Sequence, residues 1–316
     1  MLTESLNCLV CGSNQSVFIG SGIDVEFKTS TDEWKTFMCG GCGHYYLNPR
    51  PALVESSSIY PDDYYPAISL VTKSEKIIGK LRRFIDLRKF SFFLKMDCKN
   101  LCLVDIGCGD GRLLATLRRN FPGGSRLIGV DFLIDPKTQI FFKKHNIEYI
   151  SGLVENIDLQ LHDISADLVI MTQVIEHLWQ PNLILDNISK ILKKDGFLLI
   201  ETPNPESFCK KFQGGKYWGG WHRPRHLNLF TKNSMFELAN KHGFKLHGYK
   251  EITVPAFWIM GFRNYLGITS KDESSFLSRT LSLKSVWALS FFTIVEFLSG
   301  VFKAGRSNHQ FILVKK

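Results

Sequence analysis

The 316-residue chain lacks the two marks of a secretory leader. Its first residues, Met1-Leu2-Thr3-Glu4-Ser5-Leu6-Asn7, have neither a basic start nor an apolar h-region. It also lacks the charge excess and low hydrophobicity of a disordered chain, since 22% of residues are charged and 44% are hydrophobic. At 316 residues the chain is too long for a small disulfide-stapled scaffold, although eight cysteines are enough in number for one. Reduced thiols and a cytosolic setting are therefore expected. No nucleic-acid-binding module is legible. A long uninterrupted apolar run is missing as well: the eighteen residues between Lys284 and Lys303 contain Glu296 and several hydroxyl side chains, and stand near the lower limit for a membrane span.

Half of the cysteines fall into two pairs, Cys8-Leu9-Val10-Cys11 and Cys39-Gly40-Gly41-Cys42, separated by 27 residues. Two C-x-x-C turns each aim two thiolates at one tetrahedral centre, which is the spacing of a zinc site. Four thiolates complete the shell, so Cys8, Cys11, Cys39 and Cys42 predict structural zinc, with short strands at Val17-Phe18-Ile19 and Trp34 to Met38. Cys98, Cys102, Cys108 and Cys209 show no paired spacing and read as buried small hydrophobes.

The formal charge of +9 is uneven. From Lys73 to Lys95 the net is +6 and from Pro205 to Lys232 it is +5, leaving −2 for the rest. The first segment predicts a basic amphipathic helix over 73–96, following a Pro- and Tyr-rich connector. The second coincides with clustered His, Trp and Gly and favours an anionic substrate.

From residue 101 onward, apolar strands alternate with amphipathic helices. Strands are predicted at Leu101–Ile106, Leu127–Val130, Glu148–Ile150, Asp167–Met171 and Phe197–Ile200, then at Phe244–Thr253 and His309–Val314. Helices are predicted near 111–120, 136–145, 181–193 and 233–242. This alternation predicts an α/β fold with a doubly wound, mostly parallel sheet covered on both faces. The expected organisation is a zinc module with its connector at 1–65, a basic linker at 66–99, and an α/β domain at 100–316 carrying a helical cap at 254–305.

The first α/β strand ends in Asp105-Ile106-Gly107-Cys108-Gly109-Asp110-Gly111-Arg112 and runs into a helix. The dinucleotide fingerprint fails here, because position 112 is Arg and the third glycine arrives one residue early. Acids at Asp105 and Asp110 repel a pyrophosphate and suit an ammonium or sulfonium. Asp131, twenty residues past Gly111 at the end of the next strand, suits the hydroxyls of a ribose, and Phe132 suits the face of a purine.

At these residues the chain resembles the class I S-adenosyl-L-methionine-dependent methyltransferases. The resemblance runs from about 101 to 253. It includes the glycine loop, Asp131, Gln173-Val174-Ile175-Glu176-His177-Leu178 and Glu201-Thr202-Pro203-Asn204-Pro205. It implies a seven-stranded Rossmann-like sheet. It also implies that Gly107 and Gly109 line the methionine part of the cofactor, that Asp131 holds its ribose, and that Gln173 lies near the sulfonium. The acid often found after the third strand is Leu153 here, which leaves adenine to backbone groups near Val154 and to apolar contacts. Glu176-His177 resembles the Glu-His pair of the ubiquinone-biosynthesis O-methyltransferases; Gln173 stands where their metal-binding acid would be.

Methyl transfer to a hydroxyl or an acidic C–H needs a base, and His177, His222 and His226 are the candidates. The segment Trp221-His222-Arg223-Pro224-Arg225-His226-Leu227 resembles the Pro-Arg-His-Leu motif of a bacterial methyltransferase group of glycan and surface-polysaccharide pathways that often carries the N-terminal Cys pairs. That resemblance implies a substrate phosphate held by Arg223 and Arg225, with Trp221 and Asn204 completing the substrate set. For Arg225 and His226 the alternative is that they stitch the loop to the sheet by hydrogen bonds. The expected function is O-methylation of an anionic, sugar-containing acceptor, nucleotide-linked or lipid-linked, on the inner side of the membrane. Sugar C-methylation, RNA methylation and a non-catalytic binding module remain the alternatives. Helices capping the pocket, or an apolar surface for peripheral membrane contact, are the two readings of 255–303.

Overall fold

A computed structural model describes residues 1–60, 90, 93, 100–121, 124–132, 134, 136–269 and 271–316. The predicted basic helix lies outside the described residues, apart from Phe90 and Phe93, which are buried. Two compact units divide the chain: Met1–Pro61, Gln173–Asn182 and Ile200–Leu313 form the first, and Asp62–Thr172, Leu183–Leu199 and Val314–Lys316 form the second.

Alternation of strand and helix produces the expected seven-stranded sheet. Its strands run across in the order Phe244–Ile252, Asn308–Lys315, Leu192–Pro203, Ala166–Thr172, Cys102–Ile106, Arg126–Asp131 and Glu148–Ser151. Cys102–Ile106 pairs in parallel with both Arg126–Asp131 and Ala166–Thr172. The fifth residue run begins earlier than predicted, at Leu192 rather than Phe197, and the helix before it ends at Ile191. Gly196 lies inside this extension with the Leu192 side chain close against it, so continuous ladder pairing outweighs the helical propensity of Lys193 and Lys194.

In the second unit, Cys102 to Ile106 is buried at every position, as a strand covered on both faces should be. Its neighbours at the switch point, Arg126–Asp131 and Ala166–Thr172, lead away on opposite sides, and open α/β sheets bind ligands at the carboxyl ends of such strands. Gly111 has φ +69°, and a Cβ there would stand 1.7 Å from the Phe142 ring. Only glycine lets the helix Arg112–Arg118 begin so close to the helix Pro136–Lys144.

In the first unit, an antiparallel four-stranded sheet runs in the order Asn228–Leu229, Tyr45–Leu47, Trp34–Cys39 and Ser16–Gly22. The loop carrying the His and Arg residues thus becomes an edge strand of the N-terminal module, with Asn228 opposite Tyr46 and Leu229 opposite Tyr45. Arg50 reinforces the module: its guanidinium donates to Glu4 at 2.7 Å and to the Trp179 carbonyl at 3.0 Å.

The predicted cap consists of the helices Ala256–Tyr265, Phe276–Thr280 and Val286–Val301. Trp258 stacks on Phe292 with centroids 5.6 Å apart, and its indole N–H donates to Glu296 at 2.6 Å. Among the described residues no helix is long and apolar enough to cross a membrane.

Candidate functional site

The glycine loop forms an open cradle. Gly107 and Gly109 have φ of +75° and +53°, and a Cβ at Gly109 would meet nothing within 4 Å. Gly109 donates its N–H to Asp131 Oδ2 at 2.8 Å, which fixes the loop against the end of the next strand. Asp105 is fully buried, its Oδ1 has no hydrogen-bond partner, and burial, with Asp131 and Asp110 nearby, pushes its carboxyl well above the ordinary range. A buried carboxylate in that state is stabilised by a cationic ligand. Val154 is buried in the turn Val154–Asn156, whereas Phe132 is half exposed. Gln173 follows the strand Ala166–Thr172 with φ +56° and donates its backbone N–H to the Glu201 carbonyl at 2.9 Å. The acids Asp105 and Asp131 suit a ligand that carries an ammonium or sulfonium.

The four N-terminal cysteines converge as predicted. Cys8 and Cys42 sulfurs are 3.5 Å apart, those of Cys11 and Cys39 are 3.4 Å apart, and all four lie within 4.8 Å of one another. Zinc–thiolate bonds of about 2.3 Å in a tetrahedron need sulfurs about 3.8 Å apart, so the set fits the ion. His44 Nδ1 stands 3.7 Å from Cys8 Sγ and its ring stacks on Phe230 at 4.8 Å.

Three of the sequence-predicted site histidines come together. His177 and His226 have ring centroids 4.6 Å apart, and His222 lies 4.9 Å from His226 and 6.1 Å from His177. Their environments differ. His177 Nδ1 lies 3.1 Å from the Tyr60 hydroxyl and 3.2 Å from the Arg225 carbonyl, and burial lowers its pKa to about 3. His226 Nδ1 lies 2.8 Å from the Gly220 carbonyl, and burial holds it well below the ordinary range. Both rings are neutral and poor proton acceptors. Glu176 completes a cluster with them, its Oε2 accepting from Thr202 at 3.0 Å and its pKa pushed up to about 8 by burial.

His222 is held by a carboxylate that sequence reasoning missed. Its Nδ1 is 2.6 Å from Glu26 Oε2, across 196 positions of chain, at a residue with φ +38°. Glu26 and His222 line a cavity of about 260 Å³, together with Lys216, Trp221, Arg223 and Asn264. Arg223 donates to Thr36 Oγ1 at 3.1 Å, lies over the Trp221 ring at 4.6 Å, and is lowered to about 10 by burial. Among the described residues it has no carboxylate within ion-pairing distance. Trp221 donates its indole N–H to the Gly215 carbonyl.

Two expected substrate contacts have protein partners in the structure. Arg225 is wholly buried and paired with Asp24, Nη2 to Oδ2 at 2.6 Å, the arrangement of the stitching alternative. Asn204 donates to the Arg306 carbonyl at 2.8 Å and accepts from the Glu206 N–H at 2.8 Å, which makes it a turn former rather than a substrate ligand. His226, bonded to its own loop and held neutral, serves the same stitching role, and His177 is likewise poorly suited to act as a base.

The methyltransferase-domain family matches residues 77–248, more than half of the chain, and the chain belongs to that family. It is similar to the mitochondrial ubiquinone biosynthesis O-methyltransferase of Dictyostelium discoideum, 24% identical over 175 residues, covering 48% of this chain and 54% of that protein. It is also similar to a probable S-adenosylmethionine-dependent methyltransferase of Mycolicibacterium smegmatis, 27% identical over 154 residues, covering 47% of this chain and 57% of the other. The match spans about half the length of these curated relatives. Among solved structures, Haemonchus contortus phosphoethanolamine N-methyltransferase 2 in complex with S-adenosyl-L-methionine superposes with a TM-score of 0.49 at 16% identity, covering 95% of this chain and 68% of that one.

Proposed function

We propose that the protein is an S-adenosyl-L-methionine-dependent methyltransferase that methylates a hydroxyl of an anionic, sugar-containing acceptor, nucleotide-linked or lipid-linked. The observation that carries this reading is the cavity in which the Glu26–His222 pair faces the same space as Arg223, a buried cation that forms no ion pair among the described residues, the Glu33 carboxylate acting on it from beyond that distance. An anionic group would neutralise Arg223, and Lys216 lies in the same wall.

Bound at Gly107–Gly111 and Asp131, the cofactor would supply the electrophilic methyl. Asp105 and Asp131 would hold its charged and hydroxyl groups. Glu26 fixes His222 with Nδ1–H donating, which leaves Nε2 as the basic nitrogen. Nε2 would then be the atom that takes the acceptor's hydroxyl proton. Glu26 then stabilises the resulting imidazolium. Cys8, Cys11, Cys39 and Cys42 would hold a zinc ion, which would help to fold the module that supplies Glu26 and Asp24.

A radiolabelled methyl-transfer assay over nucleotide sugars, lipid-linked glycans and RNA tests this reading. Label in a sugar hydroxyl, lost in His222→Ala, supports it. Label confined to RNA, or to a sugar carbon, overturns it in favour of the corresponding alternative.

A further inference from the structure

The helix Val286–Val301 is built inside out. The residues it turns inward are Ala288, Phe292, Glu296 and Ser299, which include its charged residue. Glu296 is satisfied there by the Trp258 indole N–H and the Ser307 backbone N–H. Its outward stripe is apolar: Trp287 is 86% exposed, and Phe291, Ile294, Leu298 and Val301 follow at spacings of four, three, four and three, each at least 46% exposed. Helices with an apolar outer face are stable only against something other than water.

The feature extends beyond one helix. Of the twenty-four large hydrophobic side chains exposed among the described residues, thirteen lie between Tyr265 and Phe302. Aromatic side chains stand out furthest, with Phe276 at 81%, Phe302 at 77% and Tyr265 at 66%. Trp and Tyr favour the boundary between headgroups and acyl chains, where an apolar ring and a polar edge are both satisfied. Lys284, paired with Glu273 at 2.9 Å, precedes the helix and Lys303 follows it, and both are exposed. With Lys271 and Arg279 against Asp272 and Glu273, the exposed charge of the segment is net positive, since Glu296 is buried. An outward apolar stripe bracketed by lysines is the pattern of a helix that lies in the interface plane of a membrane, and its charge complements anionic headgroups. The same insertion contributes Asn264 to the cavity wall, so the surface and the cavity share the helix Ala256–Tyr265.

We propose that the face built on residues 265–303 docks onto an anionic lipid bilayer, with the helix Val286–Val301 lying in the headgroup region. The proposal does not depend on the acceptor assigned above.

Co-sedimentation of the full chain with unilamellar vesicles tests it. Vesicles of phosphatidylcholine and phosphatidylglycerol should carry the protein down, and phosphatidylcholine alone should do so weakly. The exposed double variant Trp287→Glu, Phe291→Glu should lose about a hundredfold in vesicle affinity while keeping its thermal midpoint. Lys284→Glu with Lys303→Glu should weaken binding to the anionic vesicles and leave the weak binding to neutral ones unchanged. Absence of binding to anionic vesicles overturns the proposal, as does unchanged binding of the double variant. Concentration-dependent dimerisation that the double variant abolishes, without vesicle binding, assigns the face to a second copy of the chain instead. S-adenosylmethionine binding, measured in parallel by calorimetry, is expected to be the same in all variants, so failure here is distinct from failure of the methyltransferase reading.

Discussion

Glu26 and His222 meet at 2.6 Å although 196 positions separate them, and the pair joins the N-terminal module to the loop that follows the fifth strand of the α/β fold. Replacing His222 by Ala should lower kcat by about a hundredfold or more, the usual contribution of a positioned base. Glu26→Gln should lower kcat by a smaller factor, because the ring keeps its place but the imidazolium loses its counter-charge. Steady-state kinetics checks both. Full turnover in His222→Ala would remove His222 from the reaction.

Arg223→Gln should raise KM for the acceptor and change kcat little, since the cation binds charge that is present in the ground state and the transition state alike. The effect should shrink for an uncharged acceptor analogue. Equal effects on charged and neutral analogues would show that Arg223 acts on loop geometry.

Asp24 and Arg225 are both wholly buried and separated by 2.6 Å. Asp24→Ala should cost about 3–5 kcal/mol, because it strands the guanidinium in a low dielectric. Urea denaturation of the variant and of the double variant Asp24→Ala, Arg225→Met separates the two contributions, with the double variant expected to recover part of the loss.

Two of the loop glycines should respond differently to substitution. Gly109→Val projects into open space and should abolish cofactor binding, its stability cost of about 1–3 kcal/mol coming from the strain of a β-branched residue at φ +53° and not from a clash. Gly111→Ala drives a Cβ into Phe142 at a residue with φ +69°, and should destabilise the fold by about 1–3 kcal/mol. Isothermal calorimetry and thermal melts on the two variants report these effects separately.

Glu176 predicts a pH-dependent stability. Its carboxyl is held up to about 8 in the folded chain against an ordinary value of 4.5. Between those values the unfolded chain has released the proton and the folded chain retains it, so stability falls as pH rises, by about 1.4 kcal/mol per unit at most. His177, lowered to about 3, acts below its ordinary value of 6.5, where stability falls as pH drops. Melts between pH 6.5 and 8 therefore exclude the histidines, and Glu176→Gln should reduce the slope in that window, leaving the part that belongs to Asp105, whose carboxyl burial also raises. Removal of metal by a chelator should unfold the N-terminal module, with the far-ultraviolet signal restored by zinc.

The features legible in the sequence are those written in short-range pattern. Strand and helix alternation from residue 101 is carried by local hydrophobic periodicity, and the sheet formed from it has the expected seven strands. The paired cysteines and the Asp105-to-Gly111 loop are local spacings too, and both sets of groups converge as their spacing implies. The extension of the fifth strand to Leu192 escaped because two lysines and an aspartate mask its pattern, and sheet pairing outweighed them.

What only the tertiary structure decided is how polar groups choose partners. The acidic pair Asp24-Val25-Glu26 gives no local sign that one carboxylate pairs with Arg225 and the other with His222. Nor does the pattern of residues 286–301 say that Glu296 faces inward and Trp287 outward, since a nearly all-apolar helix permits several facings. Periodicity and spacing act over a few residues and survive in one dimension. Ion pairing, burial and desolvation act over a few ångströms of space, and the chain alone does not state which distant residues share it.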